Sequence, residues 1–547
     1  MLQIGHSPQQ TFFSSLRDAL LRGHEPPPAP SLARLPYYRW LVVGAVCIGS
    51  FMGQVDSSIA QLVLPRLEYE FGARLGVVSW VAVAYLVTMA GFLPIFGHLA
   101  DLVGRKLLYT GGFLLFVLGS GLCGFAPNLP ILIGFRVIQA VGAALLASNS
   151  VAIVVTAAGP EQRGRALGIQ AAAQAVGLSV GPMIGGLLLA TLGWRWVFWI
   201  NVPFGLAASV IGWLVIPPTL GLAEEDKRFD WKGAFLLLPA LGAFIALISE
   251  GHAWGIMSPA FLGGILVTVI FGFLFVRSER TSAAPLVDFT LFRSSGFTVG
   301  NAAGLMSYAM LFGLFFLMPF VLVRSYHDNV FVAGLRLAIV PVAIGLVAPV
   351  SGALSDRLGT HLLTVLGMLV CGAGLILLYF ATNGSAAGLP AVMLAFAIFG
   401  AGQGLFASPN NNSIMAAAPA HVTGGAGGLM NVVRSIGMSI GIAAASALLS
   451  WRLEALTGRP ANTLTAAPGI LLDASHSAIL LLFGFAAAAG LISLIGAHSR
   501  KSTSSDEKSE HCVRGATVTS QSSTVATRLN GRDHSQHDER NVTFDVH

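Results

Sequence analysis

The sequence predicts an all-α integral membrane protein, with about fourteen transmembrane helices in two six-helix halves plus two inserted helices. Three observations predict it. Charge is scarce, apolar residues fall into long uninterrupted runs, and a motif that closes one run closes another much later in the chain. Of 547 residues, 54% are hydrophobic and only 10% charged, where a soluble domain would carry roughly a quarter charged residues. A helix needs about 20 residues to cross a hydrocarbon core, and about fourteen runs between Trp40 and Ala497 meet that length. The 64 glycines suit helices in lipid, where close backbone approach replaces a hydrophobic drive that lipid cannot supply.

The runs set the organisation. Residues 1–38 read as a cytoplasmic N-terminal tail, with a proline-rich break at Pro26–Pro30 that favours disorder. Residues 39–217 hold the first six spans. Residues 218–280 hold the acidic loop Glu224–Asp230 and the two inserted helices, and residues 281–497 hold the second six. The Ser-rich, charged segment 498–547 reads as a disordered cytoplasmic tail. The first apolar run is too long for the core of a cleavable signal and lacks a small-residue cleavage site, so it reads as an anchor that stays.

An even number of spans puts both termini on one side, and basic residues choose the side. With the N-terminus inside, the outer loops hold only Arg66, Arg74, Arg195, Arg324, Arg452 and Arg459. The inner segments hold many more, among them Arg105, Lys106, Arg163, Arg165, Lys227, Arg228 and Arg277. The expected location is therefore the cytoplasmic (inner) membrane, multi-pass, with both termini cytoplasmic. The net charge of +6 follows from that asymmetry. Basic residues are scattered singly, with no patch or stripe, so nucleic acid is not an expected partner. Cys47, Cys123 and Cys371 lie in apolar runs and Cys512 in the tail, which gives no disulfide framework.

The recurring motif is Gly97-His-Leu-Ala-Asp101-Leu-Val-Gly104-Arg105-Lys106, repeated as Gly352-Ala-Leu-Ser-Asp356-Arg-Leu-Gly359. Parallel repeats of this kind build transporters from two related halves around a central site. Three further patterns sit inside spans. They are Arg136-x-x-Gln139-Ala140-x-Gly142 in the fourth, Gly177 to Gly181-Pro182-x-x-Gly185-Gly186 in the fifth, and Asp56-Ser57-Ser58-Ile59 through Leu64-Pro65 in the first. Trp194-Arg195-Trp196 precedes the sixth run and Asn201-Val202-Pro203 lies within it.

With these residues the chain resembles the major facilitator superfamily, and within it the fourteen-span drug/proton antiporter family (Emr/Qac type). The motif at Gly97–Lys106 is similar to that superfamily's loop signature, and the fifth-span glycines to its antiporter motif. The resemblance implies proton-coupled antiport that exports small amphiphilic molecules or drugs by alternating access. The partners are then a small-molecule substrate, protons and the lipid bilayer, with a periplasmic adaptor where the host has an outer membrane. No cofactor, metal or enzymatic activity is expected. The resemblance also implies that Asp101 docks near the start of the thirteenth span, around Thr423–Gly428, where a helix N-terminus favours negative charge.

Several residues carry chemistry on physical grounds alone. Gly177, Gly181 and Gly185 recur every four residues on one helix face, and Pro182 removes a helix hydrogen bond. Ionisable groups within spans are expensive and functional by default, which singles out Asp56 and Arg136 for proton coupling. Counted along their helices, Asp56 lies ~24 Å from the inner end of its run and Arg136 ~9 Å from the outer end of its own, both in the outer half. Two readings stand open: a static pair joining two helices, or a proton-exchanging Asp56 tuned by Arg136. Gln139, Arg336 and Arg434 are candidates to line the cavity; two alternatives stay open, Arg434 snorkelling to the inner surface and Arg336 facing another helix.

The chain also departs from its relatives. Gln61 and Val63 stand where Asn and Ala are usual, Phe315-Phe316-Leu317 lacks a Leu-Gln pair, and Arg336 occupies a place where exporters of dications carry an acid. Three fixed cations within spans against one deep acid predict poor handling of dications.

The rival classes are weaker. Gly177-x-Ser179-x-Gly181 and Gly437-x-Ser439-x-Gly441 match a hydrolase nucleophile pattern, but that pattern needs a strand–turn–helix setting and both copies lie in apolar helices. They read as packing glycines. No His-Glu-x-x-His and no Gly-Lys-Ser/Thr occurs in the sequence, which argues against a zinc hydrolase or ATP-driven export. A proton-coupled uptake symporter of the same superfamily is the alternative, and the antiporter motif and the extra spans argue against it.

Overall fold

The computed structural model describes residues 25–219, 230–255, 257–282, 285–419, 423–460 and 462–496. Among these residues there is no strand. Among the described residues, fourteen helices are long and apolar enough to cross a membrane. The first half holds span 1 (Tyr38–Phe71), span 2 (Leu75–Ala100), span 3 (Arg105–Gly124), span 4 (Leu129–Ala158), span 5 (Arg163–Thr191) and span 6 (Trp196–Val215). Span 7 (Lys232–Trp254) and span 8 (Pro259–Thr281) follow. Then come span 9 (Ser295–Arg324), span 10 (Val330–Ser355), span 11 (Thr360–Ala381), span 12 (Ala386–Ala417), span 13 (Gly425–Thr457) and span 14 (Pro468–Gly496). The body described below is the compact unit ending at Leu494.

Helix ends follow capping chemistry and not hydropathy, so several spans outrun their apolar runs. Span 1 continues past Leu64 with Pro65 inside it and stops at Gly72, whose φ of 56° ends the helix in left-handed geometry. That conformation costs glycine little and other residues more. Asn128, Ser258 and Asn329 cap the starts of spans 4, 8 and 10 through side-chain acceptors, which satisfy amide groups left free by the first helical turn. Asp56 consequently sits just past mid-length of span 1, ~27 Å along the helix from Tyr38 and ~22 Å from Phe71.

The expectation of a disordered N-terminal tail needs correction from residue 25 on, while residues 1–24 lie outside the described residues. Residues 25–37 are ordered against the ends of spans 3 and 6. Ala29 N donates to Leu214 O at 2.9 Å, and Lys106 Nζ donates to Pro26 O at 2.8 Å. The buried Glu25 carboxylate accepts from Leu107 N at 3.0 Å and from the backbone and hydroxyl of Thr219. A proline-rich stretch with few apolar residues holds its place here because it supplies acceptors for the exposed start of span 3. The tail 498–547, Cys512 and most of the acidic loop lie outside the described residues.

Glycine spacing decides how the helices pair. A Cβ on Gly177 would lie 2.5 Å from Phe51 O, and one on Gly181 would lie 1.8 Å from Ser58 Oγ and 3.2 Å from Val55 O, so span 5 lies directly against span 1. Span 13 lies against span 9 in the same way: Cβ atoms on Gly437 and Gly441 would meet Leu305 O at 2.5 Å and Ala309 O at 2.0 Å. The interval from Gly177 to Gly437 equals that from Gly181 to Gly441. Likewise Gly112 and Gly119 on span 3 meet span 4 as Gly367 and Gly374 on span 11 meet span 12. Their sequence interval is the one that separates Asp101 from Asp356. The repeat seen in one short motif therefore runs through the helix contacts of both halves. Ser179 and Ser439 donate to the helix carbonyls of Ala175 and Ser435, which is the behaviour of packing serines.

Spans 7 and 8 pair with each other, and span 7 also touches spans 2 and 13. Span 8 is left almost wholly peripheral. An expected outcome follows from the glycine contacts. Gly441→Ala places a methyl against the Ala309 carbonyl and lowers stability by about 1–3 kcal/mol. Gly134→Ala, with nothing within 4 Å, leaves stability unchanged or slightly raised. Thermal unfolding of the two variants in detergent checks this, and equal midpoints would contradict the packing.

Candidate functional site

Asp56 and Arg136 meet. Arg136 Nη1 donates to Asp56 Oδ2 at 2.8 Å, and the two residues are only 1% and 3% exposed for Arg136 and Asp56 respectively. Span 4 supplies the arginine and, one turn on, Gln139, whose amide donates to Asp56 Oδ1 at 2.8 Å and whose oxygen accepts from Arg136 at 2.7 Å. Asn201 at the start of the long segment of span 6 donates to the same Oδ1 at 3.0 Å. Ser120 on span 3 accepts from both amides at 3.1 Å and donates to Phe198 O. The Arg136 Nε donates to Val81 O on span 2 at 3.0 Å. Its guanidinium carbon lies 4.2 Å from the centre of the Tyr85 ring. Five spans thus converge on one carboxylate, and three donors hold it.

A buried charge pair with its remaining lone pairs satisfied is the tolerable form of such a site in a low-dielectric interior. Sequence reading found Asp56, Arg136 and Gln139 but missed Asn201, Ser120 and Tyr85. The signal for the first two was present as polar residues within apolar runs. What it lacked was a measure of which of many such residues share a depth and face one another. Gln139 belongs to this buried cluster and does not line the cavity, contrary to expectation.

The cavity lies beside the cluster, at mid-depth between the halves. Its volume is about 90 Å³, and Gln54, Ser57, Tyr85, Gln174, Asn431 and Arg434 are among the residues that line it. Tyr85 is shared, with its ring between the cavity and the Asp56–Arg136 pair. Spans 1, 2, 3, 4, 5 and 13 contribute walls and span 10 does not, so Arg336 is not among the lining residues. Arg336 lies near the start of span 10, where Nη1 holds Asp328 at 2.6 Å. Burial pushes the Asp328 carboxyl up and Arg336 opposes that shift. Arg434, by contrast, does line the cavity, with its guanidinium 4.7 Å from the Tyr308 ring centre. It does not reach back along span 13 toward the membrane surface.

On the face opposite the loop signature the two halves touch backbone to backbone. A Cβ on Gly334 would lie 2.2 Å from Pro182 O, and one on Gly186 would lie 2.8 Å from Phe331 Cα. Glu68 of span 1 accepts from Thr463 N at 2.8 Å and from its hydroxyl, adding a polar tie to the loop before span 14. Gly185 faces Ile59 on span 1 at 3.0 Å. The antiporter-motif residues are thus contact surface on two sides, with span 1 and with span 10.

In the loop signature, Gly104 and Gly359 end their helices at φ 106° and 83°, positions that disfavour any side chain. Arg105 N donates to Thr219 Oγ1 at 2.8 Å, and Lys106 is fully buried over the Trp213 ring. Gly97 has open space around it, whereas a Cβ on Gly352 would lie 2.8 Å from Ser408 Oγ. Asp101 and Asp356 fall in the last turns of their helices, and their side chains lie outside the described residues. So does the expected docking of Asp101 on Thr423–Gly428.

Comparison with known proteins gives one family. The model described as Major Facilitator Superfamily matches residues 46–442. The chain is 33% identical over 408 residues to the riboflavin transporter RibZ of Clostridioides difficile (strain 630), covering 74% of this chain and 87% of that one. It is 32% identical over 419 residues to a multidrug resistance protein B homolog of Mycobacterium tuberculosis (strain ATCC 25618 / H37Rv), covering 75% and 76%. Among solved structures it is similar to a bacterial homolog of the human lysosomal transporter Spinster in an inward-facing, unoccupied conformation. That match has a TM-score of 0.62 at 15% identity, covers 85% of this chain and 98% of that chain, and is a likeness of fold.

The charge cluster makes a stability prediction. Arg136→Gln strands the Asp56 carboxylate in an apolar surround and costs about 3–5 kcal/mol, as breaking one side of a buried pair does. Adding Asp56→Asn removes the stranded charge and recovers much of that loss. A double-mutant cycle on detergent unfolding midpoints checks it, and strictly additive losses would contradict the coupling.

Proposed function

The chain belongs to the Major Facilitator Superfamily, and from that premise we propose that it is a proton-coupled antiporter exporting small amphiphilic molecules or drugs across the cytoplasmic membrane. It is a many-span membrane transporter and not an enzyme. The observation that carries the proposal is the buried Asp56 carboxylate, one tyrosine ring away from a central cavity. In this proposal the loop-signature face and both termini are cytoplasmic, as the basic residues direct. A relative named for multidrug resistance and another named for riboflavin transport support organic small molecules as cargo.

The chemistry runs through Asp56. Ionised, it attracts Arg136, and Arg136 in turn holds the Val81 carbonyl and the Tyr85 ring. Spans 1, 2 and 4 are then tied at one depth. A proton on Asp56 cancels its charge, weakens its attraction for the guanidinium and frees span 1 to move against span 4. Tyr85 is common to the pair and to the cavity, so a change in one wall changes the other. The cavity of about 90 Å³ must widen for cargo, since sites for drug-sized ligands run to roughly 300–1,000 Å³. Widening means parting the halves at one face, and the Gly334–Pro182 and Gly186–Phe331 contacts are the ones that part for release on the far side.

Asp56→Asn preserves shape and removes the titrating charge. It should abolish transport driven by an imposed pH gradient while substrate exchange without a gradient persists. Measurement in proteoliposomes of fixed orientation decides this. Full gradient-driven export by the variant would remove Asp56 from coupling, and gradient-driven uptake by the wild type would make the protein a symporter.

Asp101 is proposed to stabilise the closed signature face through the helix start at the beginning of span 13. Asp101→Asn should lower transport several-fold and raise labelling of a cysteine introduced at Ser150, which lines the cavity. Normal transport with unchanged labelling would make Asp101 a solvated surface residue.

A further inference from the structure

The central cavity carries one charge and it is positive. Among the described residues that line it, Arg434 is the only ionisable group of fixed charge, and the other polar lining residues are amides and hydroxyls. No carboxylate balances it. Asp56, the deep acid nearby, is already held by Arg136, Gln139 and Asn201. Among the described residues Arg434 forms no ion pair, and its Nε is buried without a hydrogen-bond partner. The Tyr308 ring covers one face of the guanidinium at 4.7 Å, which leaves the N–H groups around its edge to find acceptors elsewhere.

The internal repeat sharpens this. The sequence interval that relates Gly177 to Gly437 also relates Gln174 to Arg434, and both line the cavity from matching helices. The interval that relates Val55 to Ala309, the carbonyl partners of Gly181 and Gly441, also relates Gln54 to Tyr308. One half therefore presents two neutral amide or near-amide positions, Gln54 and Gln174, where the other presents a cation resting on an aromatic ring. The asymmetry polarises the cavity across the two halves. Arg434 is half-buried at the cavity wall, and an unpaired guanidinium in so confined a site favours an acceptor of opposite charge.

We propose that Arg434 receives an acidic group of the cargo, so that the cavity selects organic anions: carboxylates, phenolates or similar acids on an apolar, aromatic body. The inference rests on the reading of this cavity as the transport site. Arg434 supplies charge-assisted N–H donors in the planar arrangement that carboxylates match. Gln54, Gln174 and Asn431 supply neutral donors and acceptors for the rest of the polar edge, and Met89, Leu93, Phe116 and Met438 form the apolar walls. A cationic cargo meets a fixed like charge in a low-dielectric space and has no lining carboxylate to offset it.

The test is equilibrium binding to the purified full chain in detergent, read by fluorescence anisotropy. It compares fluorescein, an anionic xanthene, with a cationic rhodamine ethyl ester on the same ring system. The expected result is tighter binding of fluorescein. Arg434→Gln weakens fluorescein about tenfold, the scale of one lost charge-assisted contact, and does not weaken the rhodamine. Arg434→Lys retains part of the preference and covers the case in which the glutamine variant folds poorly. Arg336→Gln, at a cation paired with Asp328 away from the cavity, binds fluorescein as the wild type does. Tighter binding of the rhodamine by the wild type would overturn the proposal, as would an equal loss of both dyes in Arg434→Gln. Binding needs no pH gradient, so a failure of proton coupling leaves this result readable.

Discussion

One ion pair organises the first half of this protein. Asp56 and Arg136 sit on different helices, at a depth where neither tolerates isolation, and each is satisfied only by the other, by Gln139 and by groups from two more helices. A carboxylate alone in hydrocarbon would be neutralised, and a guanidinium alone would draw in water or snorkel. Paired, bonded by Gln139 and Asn201 and covered by Tyr85, they fix the relative positions of spans 1, 2, 4 and 6. The same arrangement places a carboxylate one tyrosine ring from a cavity, which is why the proposed coupling is assigned to it.

The second half repeats the scaffold and not the charge. Gly437 and Gly441 bring span 13 onto span 9 as Gly177 and Gly181 bring span 5 onto span 1. Yet the positions that correspond by interval to Asp56 and Arg136 are Met310 and Phe396, both fully buried. There dispersion and shape hold the helices where ion pairing holds them in the first half. The functional asymmetry of the molecule is thus written as substitutions on a common frame. One half carries the buried Asp56–Arg136 pair, and the other contributes Arg434 to the cavity wall.

Closure at the far face depends on absence of bulk. Pro182 and Gly186 meet residues of span 10 at distances that no added Cβ would allow. Apolar burial gives little drive between helices in lipid, so such contacts rest on close packing summed over many atoms. Contacts of that kind are strong when fully formed and lost all at once when the surfaces part. That is the behaviour needed of a gate with two discrete states.

The sequence by itself determined the class of the protein, the number of spans, the two-half repeat and the identity of its deep charged residues. It did so because the bilayer imposes length, apolarity and a high cost for charge, and each of these is written residue by residue. It also marked Gly177, Gly181, Gly437 and Gly441 correctly as packing positions. It misjudged helix ends, which capping groups such as Asn128 and Gly72 decide, and it left residues 25–37 as free tail. Only the tertiary structure decided which polar residues meet. Arg336 and Arg434 read alike in sequence, each a lone arginine within a span. The fold pairs one with Asp328 and leaves the other facing a cavity, because rotation about a helix axis and the reach of a long side chain are fixed by packing. Asn201 and Ser120 joined the charge cluster for the same reason: depth can be counted along a chain, but facing cannot.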